Sequence, residues 1–175
     1  MDAPPIRALG AADLAAYRAL RLRGFAEHPA SFTSSFAEES ARPADALLRR
    51  VEPPAATPHD VVLGAFDGDT LVGVVGLEVD PRANVRHKGH VFGMYVPAER
   101  AGCGIGKSLV AAVIARARSI PALRQLGLTV TAGNTPAQRL YERAGFVAWG
   151  VEPDAVIVDG AAHDKLHMTR ALARP

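Results

Sequence analysis

The stretch Val91–Leu109, VFGMYVPAERAGCGIGKSL, constrains the fold more than any other part of the chain. It opens as an apolar run that reads as a buried strand. It then passes through a loop carrying Gly102, Gly104 and Gly106. It ends in a helical pattern, where Ile105, Leu109 and Val113 recur every fourth residue beside Val110, Ile114 and Ala117. Strand, glycine loop and helix, in that order, make a place for a phosphate. Glycines let the backbone come close, and N–H groups at the start of a helix point at the anion. A plain strand-to-helix turn has no need of a glycine at every second position.

Two kinds of phosphate ligand fit this loop. Ala101–Ser108 nearly matches the nucleotide-triphosphate pattern G-x-x-x-x-G-K-[ST], with Ala101 in place of the first glycine. That chemistry also needs an aspartate ending a later apolar strand to hold magnesium, and Ala155–Asp159 offers one. Position argues against it. The loop follows more than half of the chain, too late for the usual alternating parallel sheet, and Asp159-Gly160 is a favoured hairpin pair.

The second ligand is acetyl-coenzyme A. Met94-Tyr95-Val96 followed by Gly102-Cys103-Gly104-Ile105-Gly106 resembles the central motif of the GNAT superfamily of N-acetyltransferases. A second stretch makes the resemblance specific: Asn134-Thr135-Pro136-Ala137, then Leu140-Tyr141, then Gly145-Phe146. It matches the superfamily pattern N-x-x-A-x-x-L-Y-x-x-x-G-F at a similar distance downstream. One departure is Ala101, which stands where the superfamily usually has Arg or Gln; Arg100 is its neighbour.

The resemblance implies an acetyl-CoA-dependent N-acetyltransferase acting on a primary amine of a small molecule, protein or peptide. Backbone groups of Met94 and Val96 would pair with the pantetheine arm. Amides from Gly102 through Cys103, Gly104, Ile105 and Gly106 to Lys107 would hold the pyrophosphate. Asn134 would hydrogen-bond the cofactor, and Tyr141 would stand at the sulfur as proton donor. Glu78 lies where the superfamily often keeps a carboxylate base, and His90 is a second candidate. Phe32, Phe36, Glu38 and Glu39 fall in the region that covers the acceptor. The core or solvent-facing reading of these four, and of Tyr141 on its apolar helix face, stays open at this point. So does a non-catalytic acyl-CoA sensor on the same fold.

The fold expected is α+β, in one domain over residues 1–175. Its mixed sheet has an antiparallel meander and a central parallel pair splayed at the cofactor. Asp13 reads as the cap of a helix carrying Leu14, Tyr17, Leu20 and Phe25, which His28-Pro29 ends. A short helix spans Ala44–Val51. Strands Val61–Phe66 and Thr70–Val79 flank the turn Asp67-Gly68-Asp69, and Lys88–Val96 returns. Gln125–Thr131 lies beyond a crossover helix, which implies parallel pairing with Val91–Val96. Thr135–Gln138 reads as a capping box, leaving the Asn134 side chain free of capping. Val147–Val151, Ala155–Val158 and Lys165–Ala171 supply the closing strands.

Charge and composition bound the remaining functions. A net charge of +2 implies no nucleic-acid partner. His87 and His90 lack further ligand types nearby, so no metal is expected. The basic run from Arg82 to His90 reads as a solvated turn. Cys103 is the single cysteine, which fits a reducing compartment. The first residues hold no long apolar run, so no signal peptide, membrane span or membrane partner is expected, and the cytoplasm follows by default. Monomer or homodimer is the expected state.

Overall fold

The structure, a computed structural model, describes residues 4–172; residues 1–3 and 173–175 of the expected domain lie outside it. The strands are β1 (Ile6–Ala8), β2 (Val61–Asp67), β3 (Thr70–Val79), β4 (Lys88–Tyr95), β5 (Gln125–Thr131), β6 (Val147–Val158) and β7 (Ala161–Ala171). They form one sheet in the order β1-β2-β3-β4-β5-β7-β6. Among the described residues β4 and β5 are the one parallel pair, and every other neighbour is antiparallel. This mixed sheet removes the nucleotide-triphosphatase reading. Asp159 takes a left-handed φ of 50° beside Gly160 at 79°, as the two central residues of the β6–β7 hairpin, not as the end of a parallel strand.

Helices cover the two faces of the sheet. They are α1 (Leu14–Glu27), α2 (Phe36–Ser40), α3 (Ala44–Val51), α4 (Ile105–Arg118) and α5 (Thr135–Arg143). On one face α4 lays Ile105, Leu109, Val110, Val113, Ile114 and Ala117 against Val75, Leu77, Val91, Leu126 and Leu128. The four-residue recurrence in the sequence is this buried stripe. On the other face Tyr17 and Leu20 of α1 and Leu47 and Val51 of α3 pack on Val62, Val74 and Tyr95. Strands β2 and β3 are apolar without alternation because both of their faces are covered.

Three local expectations are corrected. Asp13 makes no side-chain cap on α1. It sits in a 3-10 turn, and its carboxylate accepts from the Gly10 N–H at 3.0 Å and from the Arg7 guanidinium at 2.7 Å. Asn134, not Thr135, caps α5: its side chain accepts from the Ala137 N–H at 3.3 Å. The chain between Val147 and Val158 is one strand with two register shifts, not two strands, because β7 is long enough to pair with it on both sides of those shifts.

Candidate active site

The site begins where the parallel pair fails. Strands β4 and β5 pair only at Lys88–His90 with Gln125–Gly127. Beyond that point β4 stays on β3 as far as Tyr95, and β5 stays on β7 as far as Thr131. The two strands part and leave a slot edged by backbone from Val91 onward. A register shift in the β3–β4 pairing falls beside Gly93, whose φ is 60°. A side chain there is disfavoured by that φ, and its Cβ would lie 3.1 Å from the Arg21 guanidinium. A bulge of this kind re-aims the strand.

The slot opens into a cleft of about 640 Å³. Met94, Val96, Gly102, Gly104, Ile105, Gly106 and Lys107 line one wall; Asn134, Leu140, Tyr141 and Arg143 line the other. Gly102 and Gly104 have φ of 78° and 77°, and a Cβ at either would meet nothing within 4 Å. The loop therefore needs glycine for its left-handed backbone and for open approach, not because neighbours crowd it. Gly104 leads into α4, whose first N–H groups lack intrahelical partners. Lys107 and Arg143 add positive charge; Arg143 was not anticipated, since one arginine in a last helical turn carries no pattern. Cys103 is exposed and lies outside the cleft lining, its thiol 3.8 Å from the Ala101 carbonyl. An extended arm with a pyrophosphate fits these features: an unpaired strand edge, then a glycine turn free of obstruction, then a helix start.

On the other side of Met94 and Tyr141 lies a second pocket of about 320 Å³. Its floor is the sheet, where Glu78 and His90 are cross-strand partners. Its roof is Phe32 with Arg21, Glu39, Arg42 and Arg50. Phe32 stacks on Phe25 with ring centroids 4.0 Å apart. The turn before it is pinned from below: Lys165 Nζ donates to the Ala30 carbonyl at 2.7 Å and to Thr131 Oγ1 at 3.0 Å. Glu39 is buried and held by Arg21 at 2.7 Å and Arg42 at 2.9 Å. Burial raises the Glu39 pKa, but the two guanidinium groups outweigh it and hold the carboxyl below its usual range. Phe36 is not brought to the pocket. It is 47% exposed on α2, and the α2 residue that lines the pocket is Glu39. Glu38 instead closes the α2 capping box with Ser35. No sequence pattern marks these arginines: Arg21 sits on α1, Arg50 on α3 and Arg42 in the loop between α2 and α3, and their meeting over β4 is a tertiary fact.

The two cavities share Ser31, Phe32, Met94, Asn134, Ala137 and Tyr141. Tyr141 is buried, with its hydroxyl 3.4 Å from the Met94 sulfur. Burial pushes its pKa up to about 12, so it holds its proton at neutral pH. Asn134 lines both cavities while capping α5. At His90 the cleft walls strip water from a ring that still keeps some exposure. That desolvation lowers its pKa; Glu78 opposes the shift and His167 adds to it. The lowered pKa favours the neutral imidazole, the form that can accept a proton.

Among the described residues no three or more His, Cys, Asp or Glu gather closely enough to hold a metal ion. No helix among them is long and apolar enough to cross a membrane.

Residues 22–146 match the family model described as the acetyltransferase (GNAT) family. A mycothiol acetyltransferase of Thermobispora bispora is 35% identical over 142 residues, 80% of this chain and 45% of that protein. The chain thus spans about half the length of the curated relatives it matches. A GNAT-family acetyltransferase of Streptococcus pneumoniae superposes with a TM-score of 0.86 at 24% identity, over 97% of this chain and 99% of that one. The yncA protein of Salmonella typhimurium, solved with its cofactor acetyl-CoA, gives 0.84 at 20% identity, over 99% and 96%.

Proposed function

The chain belongs to the GNAT acetyltransferase family, and we propose that within it the protein moves an acetyl group from acetyl-CoA to a primary amine held in the 320 Å³ pocket. The observation that carries this is the meeting of the two cavities at Met94 and Tyr141, where β4 has left β5. Bound acetyl-CoA supplies the thioester whose carbonyl carbon the amine nitrogen attacks, the N–C bond forming as the C–S bond breaks. The protein's residues do the rest. Backbone groups of Met94 and Val96 bind the arm as an added strand, and the amides of Gly102 to Lys107 bind the pyrophosphate. A backbone N–H at Met94 stabilises charge on the carbonyl oxygen.

Two protons must move. An alkylammonium has a pKa of about 10, so it must lose one before attack. Glu78 takes it, directly or through water, with His90 opposite as the alternate acceptor. Tyr141 gives the other to the departing sulfur. The position of the Tyr141 hydroxyl beside Met94 supports this role, and burial keeps the hydroxyl protonated. The substrate is proposed as a small-molecule amine: the pocket holds about 320 Å³ and is lined by Phe32 and the arginines. Relatives named mycothiol acetyltransferase fit an acceptor of that kind.

The test is release of free thiol from acetyl-CoA over a panel of amines. Amine-dependent release is the expected result. Acetyl-CoA binding with no release over the whole panel would favour the non-catalytic sensor.

A further inference from the structure

We propose that the acceptor is a zwitterion-type amine, an amino acid or close analogue whose carboxylate is held by Arg50 while its amino group faces Glu78. This rests on the transferase reading and names the substrate class of that site.

The pocket's charges are unequally spent. Glu39 is saturated by Arg21 and Arg42. Among the described residues Arg50 has no carboxylate partner; its guanidinium stands over the Phe92 ring, 5.5 Å from the centroid. Glu78 likewise makes no ion pair or side-chain hydrogen bond among the described residues, and its cross-strand partner is His90. The pocket thus offers one unpaired cation and one unpaired anion. A neutral or purely cationic amine would leave the half-buried Arg50 unanswered. A ligand carrying both signs answers both.

Spacing agrees. His90 and Phe92 are two residues apart on β4, so they share one face and lie ~7 Å apart along the strand. Glu78 sits opposite the first, and Arg50 sits above the second. Arg50 and Glu78 line the same pocket, so one small ligand carrying both signs can meet both of them. The Phe92 ring can lie there because Gly76, across the strand, has no side chain; a Cβ at Gly76 would run into the ring. Arg21 and Arg42 add positive potential on the same side, only partly cancelled by Glu39. The roof therefore favours an anion independently of Arg50. Arg is the residue suited to this task, since its fork matches a carboxylate bidentately.

In the reaction the amino nitrogen gains the acetyl group and loses a proton to the base. The sulfur leaves as a thiol, and the products are the N-acetyl amino acid and free CoA. The carboxylate is untouched and serves only as a handle.

The experiment compares matched acceptors: each common amino acid, its α-carboxamide, and its decarboxylated amine. Thiol release is followed for wild type and Arg50→Gln. Wild type is expected to prefer at least one acid over its amide by about ten- to hundredfold in kcat/KM, the range of one charge-assisted hydrogen bond. Arg50→Gln is expected to erase that preference through a rise in KM for the acid that is larger than any change for its amide. Calorimetric titration of the same acids into the protein saturated with CoA reads binding without turnover. Release with amides and amines but no preference for acids would overturn the proposal and leave the transferase reading intact. An equal loss on acid and amide in Arg50→Gln would also overturn it. With no release from any amine, acid binding that Arg50→Gln abolishes would still support the pocket assignment, and absence of binding would end it.

Discussion

The hydroxyl of Tyr141 on α5 lies 3.4 Å from the sulfur of Met94 on β4, across the seam where the two cavities join. A thioether is a weak acceptor, so this contact leaves the phenol proton loosely committed at the seam, where the proposed reaction needs a donor for the sulfur. Tyr141→Phe keeps the ring that packs edge-on against Phe146, with centroids 5.8 Å apart. It is expected to lower kcat by roughly 10²–10⁴-fold, or less because a thiolate is already a good leaving group. Affinity for acetyl-CoA and the melting temperature are expected to change little, since only a weak hydrogen bond is lost. A kcat equal to wild type would remove Tyr141 from the chemistry.

The same hydroxyl gives an alkaline signature. Burial pushes its pKa up to about 12, whereas an unfolded tyrosine ionises near 10. Between these values the folded chain keeps a proton that the unfolded chain has lost, so stability falls as pH rises. Phenylalanine has no proton to release. Tyr141→Phe should therefore gain on wild type between about pH 10 and 12, by up to ~2 kcal/mol at the upper end. Urea unfolding of both proteins at about pH 8 and about pH 11 measures the gain. A constant difference across that range would mean the hydroxyl is not buried as described.

Gly104 serves two purposes that substitution can separate. Its φ of 77° penalises any side chain, and the space around it is open for a ligand. Gly104→Val is expected to cost about 1–3 kcal/mol of stability through backbone strain and to cut acetyl-CoA affinity at least tenfold. Gly104→Asn tolerates the left-handed backbone better and should recover most of the stability. Its side chain still stands in the anion's path, so affinity should stay low. Calorimetry and thermal melts on both variants check this; unchanged affinity in either would remove the loop from the binding site.

What could be read in the sequence was whatever has a short-range cause. The α4 stripe, the β5 span and the Asp67–Asp69 turn follow from periodicity and turn chemistry, and the structure reproduces them. The parallel β4–β5 pair followed from the crossover helix, but it forms at Lys88–His90, before the Val91–Val96 stretch expected to carry it. Capping was less legible. Asn134 and Thr135 are adjacent and both able to cap, and which one does so depends on how β5 delivers the chain into α5. Phe36 and Glu39 show the same limit. Three residues apart on one short helix, one turns outward and the other is drawn in by Arg21, 18 positions earlier. No local pattern marks that pairing, nor the standing of Arg50 over Phe92.

Glu78 and His90 face each other across β3 and β4, and their roles can be told apart by pH. If Glu78 accepts the amine's proton, Glu78→Gln should lower kcat/KM at neutral pH by roughly 10²-fold. The defect should shrink as pH approaches the amine's own pKa, where the nucleophile no longer needs a base. His90→Gln should have the smaller effect. A deficit in Glu78→Gln that is constant with pH would assign Glu78 to positioning rather than proton transfer.

Glu39 poses the opposite case, a buried carboxylate whose charge is already matched. Its side chain is 2% exposed, and that of Arg21 is 6% exposed. Glu39→Gln leaves the Arg21 charge buried with no anion, a change that costs about 3–5 kcal/mol in comparable pairs. Because the two arginines hold the Glu39 pKa below its usual value, its contribution is present above the ordinary carboxylate pKa and fades as pH falls through the folded value. The gap between wild type and Glu39→Gln should therefore narrow in acid. Replacing both partners, Arg21→Met with Glu39→Leu, removes the uncompensated charge and should restore most of the lost stability. If the pair only supports the fold, the restored double variant should also recover wild-type KM for the acceptor. If its charges shape the roof of the pocket, stability should return while KM stays high. Melting temperature and KM, measured on the same two preparations, separate these outcomes.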